Sequence, residues 1–385
     1  MHPQQPVLDL TADQLAAWFG SEGLTRIPES ALPAGLTHEP TRRLLSTLGL
    51  PSGTRALIDF ELDPEVLLAP LPEHLAWAPQ LLRVGRVLRD WVVLDGATGQ
   101  VSLAARERRA RTAEPAGDLL ASDLSLLLRF AGEVGELATR PEHTAQTAAR
   151  LRELDPAVFD ASASGQAPLW SALLFGYGLR AAARPGRELA WEVTPELLAE
   201  FATPHPLAEA DLPATLTHQP TRRLLLTLGL PECDLLTPDS ERPLATLRER
   251  QEWLVDELTE ERAHQLDQIS LGDTVYGCDL LVDGATGRIE VGEGGGDEGW
   301  PAAPLHRDLS ACYLALWLLT RLRAEAERWV RGHRPADWHV VRTERVLAEL
   351  ALHLLADLDP VSCADESSLW PALADDGHMG GLLGC

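Results

Sequence analysis

The stretch LTHEPTRRLLSTLGLP, Leu36–Pro51, recurs as LTHQPTRRLLLTLGLP, Leu216–Pro231, 180 positions later and with two differences. Repetition at that fidelity marks an element that the chain uses twice. Pro40 at an early helical position, then Leu44, Leu45 and Leu48 at helical spacing, then Gly49 and Pro51, predict a short helix. It stops where glycine permits a left-handed turn. Thr37 and Thr217 are the expected caps of its first turn.

Four further blocks recur in the same order. TADQLAAWF from Thr11 answers to TPELLAEFA from Thr194, and WVVLDGATGQVSL from Trp91 answers to DLLVDGATGRIEV from Asp279. SDLSLLLRF from Ser122 answers to RDLSACYLALW from Arg307, and LDPAVFDASASGQAPLWSAL from Leu154 answers to LDPVSCADESSLWPAL from Leu358. The chain is therefore a full-length tandem duplication, with domains expected at residues 1–185 and 186–385. A short linker is expected in AAARPGRELAW, Ala181–Trp191, where Pro and Gly concentrate. Alternating apolar residues around Asp95–Gly99 and Asp283–Gly287 predict a β-hairpin in each copy. An apolar helix opened by an aspartate follows, and then a second helix whose far side carries LDP and LW. Each copy thus reads as an α+β unit, a small, mostly antiparallel sheet packed with helices.

A chain of 385 residues with 45% hydrophobic and 24% charged residues can bury a real core. All 33 basic residues are arginine. No apolar run reaches the length of a membrane helix, the longest candidate being LALWLL at Leu314–Leu319, and the amino terminus lacks the order of a secretory signal. A cytoplasmic protein with no membrane association is the expectation. The five cysteines (Cys233, Cys278, Cys312, Cys363, Cys385) show no CxxC spacing, so neither a disulfide framework nor a zinc site is expected.

The charge is unevenly placed. Residues 1–190 hold 23 acidic and 18 basic side chains, a net of −5, and the remainder holds 35 and 15, a net of −20. Such a surface repels phosphate backbones, which argues against direct nucleic-acid binding, and its natural counterpart is a basic protein surface.

Residues that could carry chemistry do not assemble into a site on paper. His38 and His218 precede proline-started helices with no nucleophile or acidic partner at a recognisable spacing, so a capping or surface role is expected. Arg42-Arg43 and Arg222-Arg223 are adjacent and do not share a helix face. GEGGGDEG, Gly292–Gly299, contains a literal GxGxxG, but Trp300-Pro301 follows instead of a helix, and its acids would repel a pyrophosphate. It reads as a flexible acidic loop. The turns DGATG lack the oxygen ligands of a calcium loop. His333, His339 and His353 are not spaced for metal ligation. Trp170 and Trp370, at matching places, are expected in the core. No cofactor is implied.

A short helix ending LGLP, a hairpin turning on DGATG, an apolar helix behind it and a closing LDP and LW segment together resemble the SUKH superfamily. The nearest likeness is to its fourth subgroup of bacterial immunity proteins. The resemblance covers about Thr11–Tyr177 and Thr194–Gly377. It implies non-catalytic α+β domains that bind and neutralise toxin domains, often nucleases or deaminases. Where the family pattern opens the helix after the hairpin with an Asn-Ser-Ser-like segment, this chain has Ala121-Ser122-Asp123 and His306-Arg307-Asp308.

The expected function is therefore protein binding, with the acidic second copy covering a basic toxin or effector domain. The candidate surface is Glu252, Asp256, Glu257, Glu260 and Glu261, in the helix-like stretch LRERQEWLVDELTEERAHQL from Leu247, together with Asp297 and Glu298 of the acidic loop. The alternatives are a structural adaptor or assembly component built from the duplicated domain, and an enzyme acting through His38 or His218.

Overall fold

The structure is a computed structural model describing residues 10–20, 23–60, 63–71, 81–104, 118–160, 167–240, 242–252, 258–260, 262–275, 277–292, 304–330, 342–365, 368–375 and 382–383. Two compact units form, Met1–Ala181 with Trp329–Val346, and Ala182–Arg328 with Leu347–Cys385.

In the first unit, α1 (Ala12–Phe19) is started by a capping box between Thr11 and Gln14. A two-stranded ribbon pairs β1 (Leu24–Thr25) with β2 (Leu50–Pro51), and α2 (Glu39–Thr47) lies between them in sequence. Then β3 (Thr54–Arg55), β4 (Ile58–Asp59), β5 (Leu81–Val87), β6 (Asp90–Asp95), β7 (Val101–Ala104) and β8 (Asp118–Ala121) form a six-stranded antiparallel sheet in sequence order. Three helices follow, α3 (Leu124–Glu136), α4 (Thr144–Leu154) and α5 (Leu169–Ala182). The hairpin expected around Asp95–Gly99 is the β6–β7 pair.

The second unit repeats this plan. It runs α6 (Pro195–Ala199), β9 (Thr203–His205), α7 (Gln219–Leu228), β10 (Leu230–Glu232), β11 (Leu236–Pro238), α8 (Leu247–Arg250), β12 (Ile269–Thr274), β13 (Asp279–Val282), β14 (Ile289–Val291), β15 (Pro304–His306), α9 (Leu309–Val330, its last two residues grouped with the first unit), α10 (Arg342–Leu358, grouped with the second unit from Leu347) and α11 (Leu369–Asp375). β9 pairs with β10, and β11 to β15 form a five-stranded antiparallel sheet in sequence order. The register agrees in detail. A bulge between Arg83 and Gly85 in β5 is matched by one between Ser270 and Gly272 in β12.

Alternation places Leu82, Val92, Leu94, Val101 and Leu103 on the sheet's inner face, each at most 3% exposed. Against that core lies α3, which is buried nearly all round and touches α1, α2, α4, β3 and β8. Asp123 starts it by accepting a hydrogen bond from the Leu126 amide (2.9 Å), and Asp308 does the same for Ala311 (3.0 Å) at the start of α9. Trp170 is fully buried, packs edge-on against Phe130 and donates to the Leu120 carbonyl (2.7 Å), as its core assignment requires. Trp370 is 2% exposed.

The copies differ in their interiors, as two sites show. In the first, the Trp18 ring lies over Gly132, where a Cβ would overlap it. The matching positions in the second are Phe201 and Trp317, both buried, so a large ring stands where the first copy has glycine. Glu133, 5% exposed, is held between Arg129 and Arg150, each at 2.9 Å. The second copy has Leu318 in the place of Glu133 and Leu314 in that of Arg129, replacing the ion pair by apolar packing.

The segment expected as a linker is a closed loop of the second unit. Pro185 bridges to Trp191, the Ala190 amide donates to Asp308 (2.8 Å), the Trp191 amide to Ser310 (3.0 Å) and its indole to the Leu358 carbonyl (3.1 Å).

Candidate partner-binding surface

The repeated phrase has a structural task in each unit. The amides of Thr37 and His38 both donate to the Gly96 carbonyl (2.8 and 2.9 Å), and those of Thr217 and His218 both donate to Gly284 (2.8 Å each). The phrase is thereby fastened to the DGATG turn, whose Asp95 and Asp283 each accept two turn amides at 2.8–2.9 Å. His38 and His218 occupy the N-cap positions, which corrects the assignment of Thr37 and Thr217. Neither imidazole caps the helix. Each places Nδ1 2.8 Å from a threonine hydroxyl, Thr41 or Thr221, and lies against the turn glycine, Gly99 or Gly287. Arg42 and Arg222 donate to the carbonyls of Leu36 and Leu216 (2.9 and 3.0 Å) and pair with Glu29 and Glu209.

The departures from the family pattern also fall on paired positions. Asp155 accepts the Ser122 amide (2.7 Å) and hydroxyl (2.9 Å). Asp359 accepts the Arg307 amide (2.9 Å) and guanidinium (3.1 Å), with His306 Nδ1 at 3.2 Å. The Trp370 indole can only donate, so His306 Nε2 accepts from it (3.3 Å) and Nδ1 carries the proton toward Asp359. Burial pushes Asp155 above the ordinary carboxylate range. Burial also opposes ionisation of Asp359, but the hydrogen bonds from His306 and Arg307 outweigh it and hold that carboxyl below the usual range.

The signs follow by linkage. A depressed folded-state pKa contributes stability that is present above the unfolded value, about 3.9, and is lost as pH falls through the folded value. A raised one opposes folding once the group ionises, and that opposition disappears at acid pH. Below about pH 4 the second unit is expected to lose protection of its α9 and α10 amides, as read by hydrogen exchange. Asp359→Asn is expected to flatten that dependence, and Asp155→Asn is not.

The copies also differ across the outer face of the sheet. The shared bulge and turn place Trp91 opposite Asp279, Arg86 opposite Asp273 and Arg83 opposite Ser270. In the first unit, Arg83 lies over the Trp91 ring at 5.2 Å and Arg86 pairs with Asp59 at 2.6 Å. In the second, the Arg250 guanidinium gathers Ser270 (2.5 Å), Asp273 (2.8 Å), Asp279 (3.1 Å) and Asp239 (3.4 Å). Burial raises the Asp279 carboxyl, with Arg250 the largest opposing influence.

Arg250 reaches this place because α8 is one turn long. Thr246 and Glu249 form a capping box, and Gln251 leaves the helix at φ −133°, sending its amide to Asp279 (2.8 Å). The expectation of one helix from Leu247 to Leu266 is corrected: Ala263–Asp267 is a separate 3-10 helix. Leu247 and Leu266 both pack on Leu281, and together with the Arg250 and Gln251 bonds they fasten the segment to the sheet. That anchoring overrides the helix propensity of its charged residues. Of the expected surface residues, Glu252 and Glu260 are exposed on this segment. Asp256, Glu257, Glu261, Asp297 and Glu298 lie outside the described residues, as do His333, His339 and the GEGGGDEG stretch beyond Gly292. His353, on α10, is 4.0 Å from Glu349.

Among the described residues, no group of His, Cys, Asp and Glu is placed to hold a metal ion, and no helix is long and apolar enough to cross a membrane. Four cysteines, Cys233, Cys278, Cys312 and Cys363, are free thiols.

What repeats, then, is a whole α+β domain with its fastened turn, and this defines a tandem two-domain protein of a single fold. The pattern of the SUKH-4 immunity proteins matches it twice, at residues 10–175 and 186–376, and the chain belongs to that family. No curated protein and no solved structure matches the chain.

Proposed function

We propose that the chain is a non-catalytic, toxin-neutralising binding protein, and that its acidic second unit covers a basic surface of the toxin domain. Membership in an immunity-protein family, found in both copies, is the observation that carries this reading. The charge distribution supports the choice of unit. Its described exposed acids include Glu252, Glu260 and Asp273, and Val275, at 53% exposure, offers an apolar contact at the tip of the β12–β13 hairpin.

The test is binding of the full chain to a basic toxin domain, measured across a salt series. Affinity is expected to fall with salt, and Glu252→Lys with Glu260→Lys is expected to slow association about tenfold. Binding unchanged by both salt and charge reversal would overturn the assignment of the surface.

A further inference from the structure

The 3-10 helix Ala263–Asp267 and the residues at its two ends carry polar atoms with no hydrogen bond among the described residues. Arg262, Gln265 and Gln268 are 7%, 0% and 4% exposed. Yet Arg262 Nη1, Gln265 Oε1 and Gln268 Oε1 are sealed from solvent and make no hydrogen bond among the described residues. A buried polar atom without a partner is disfavoured, and three in seven residues call for a reason.

Their spacing supplies one. The Gln265 amide donates to the Arg262 carbonyl (2.8 Å) and the Gln268 amide to that of Gln265 (3.0 Å), so 3-10 winding runs from Arg262 to Gln268. With three residues per turn, these side chains stack on one face about 6 Å apart. The orientation of Gln265 is set by its amide nitrogen, which donates to the Val291 carbonyl (3.1 Å) and to Glu290 (3.3 Å). Its oxygen is therefore left as an acceptor. The face offers one donor and then two acceptors. Along one edge of an extended peptide, N–H and C=O groups recur every second residue, about 6.7 Å apart. Peptide main chain is the chemistry that supplies both an acceptor for Arg262 and donors for the glutamines at nearly this interval.

We propose that the Arg262–Gln268 face is a seat for an extended, basic segment of the protein partner, held through that segment's main chain. The basic character rests on the reading of the acidic unit above, and Glu260 and Asp267 flank the seat on the exposed side. The partner adds main-chain hydrogen bonds as in strand addition, except that side chains replace a sheet edge. Because the three atoms are closed off in the free chain, the residues covering them part as the seat fills.

The test uses the full chain and an alternating Arg-Val dodecapeptide, with two further versions N-methylated at every Val amide or at every Arg amide. Methylation removes donors and keeps the charge. At least one methylated version is expected to bind about tenfold more weakly, as the loss of one to two hydrogen bonds implies. Gln268→Leu is expected to weaken the unmethylated peptide similarly while leaving the thermal midpoint unchanged or raised, since its buried Oε1 makes no hydrogen bond among the described residues. Failure of the peptide to bind would overturn the seat, as would a lower midpoint in Gln268→Leu. Equal, salt-sensitive affinity for all three peptides would overturn it too, while leaving the acidic-surface reading standing.

Discussion

Replacing Arg250 by methionine is expected to destabilise the second unit by about 3–5 kcal/mol at neutral pH, the usual consequence of removing one partner from a buried ionic cluster. Asp279 is 4% and Asp239 7% exposed, and Arg250 is the cation that both share with Asp273. Without it, the buried carboxylate of Asp279 loses the cation that it shares with Asp239 and Asp273. Asp279 already sits above the ordinary range through burial, and Arg250 is the largest influence pulling it down. Its pKa is therefore expected to rise further in the variant. A raised folded pKa costs stability as pH rises through the unfolded value, so the deficit should be larger at pH 7 than near pH 4. Urea unfolding of the full chain at both values, with hydrogen exchange of the β12 and β13 amides to localise the loss, reads the effect. The double variant Arg250→Met with Asp279→Leu is expected to recover part of it, because an apolar pair can replace a buried ionic one. A cost under about 1 kcal/mol at pH 7 would mean the cluster is solvated like a surface pair.

This cluster also shows where sequence reasoning stops. The duplicated fold was readable because the cues were local: proline and glycine bounding α2 and α7, aspartates opening α3 and α9, and a turn written identically twice. The pairing of Trp91 with Asp279 was visible in the same comparison as a reversal of chemistry at one position. What that aspartate bonds to was not visible, because Arg250 lies 29 residues away and reaches it only when α8 ends after one turn. The stretch from Leu247 has the composition of a charged helix, and its tethering to the sheet overrides that local preference. Of the acidic residues expected at the partner surface, Glu252 and Glu260 are exposed. The buried atoms Arg262 Nη1, Gln265 Oε1 and Gln268 Oε1, without a hydrogen bond among the described residues, carry no sequence signal, since glutamine and arginine are ordinarily surface residues.

The co-repetition of LTHEPTRRLLSTLGLP and DGATG was legible as two facts, and the structure makes them one, which leads to the second large effect. Gly99→Ala and Gly287→Ala are each expected to destabilise their own unit by about 2–5 kcal/mol, combining backbone strain with overpacking. Both glycines sit at positive φ, 82° and 77°, and a Cβ on either would overlap the imidazole of His38 or His218. Those rings cannot retreat cheaply. Each is held by a 2.8 Å contact to Thr41 or Thr221, and the backbone beside it is pinned to Gly96 or Gly284 by two amide bonds. The two contributions separate by design. Asparagine tolerates positive φ far better than alanine, so Gly99→Asn should retain the steric part of the penalty and shed much of the strain. Adding His38→Ala to Gly99→Ala should do the reverse, relieving the overlap and leaving a residual cost on the order of 1 kcal/mol. If His38→Ala gave no relief, the ring would not be seated on the turn, and the reason for writing the phrase twice would have to be sought elsewhere. The same pair of experiments at His218 and Gly287 should give the same answer, because the two docking geometries agree to within 0.1 Å in their backbone hydrogen bonds. A unit that opened there would release α2 or α7 from its sheet. The phrase therefore stays nearly fixed, while the surface a partner would meet is free to change sign.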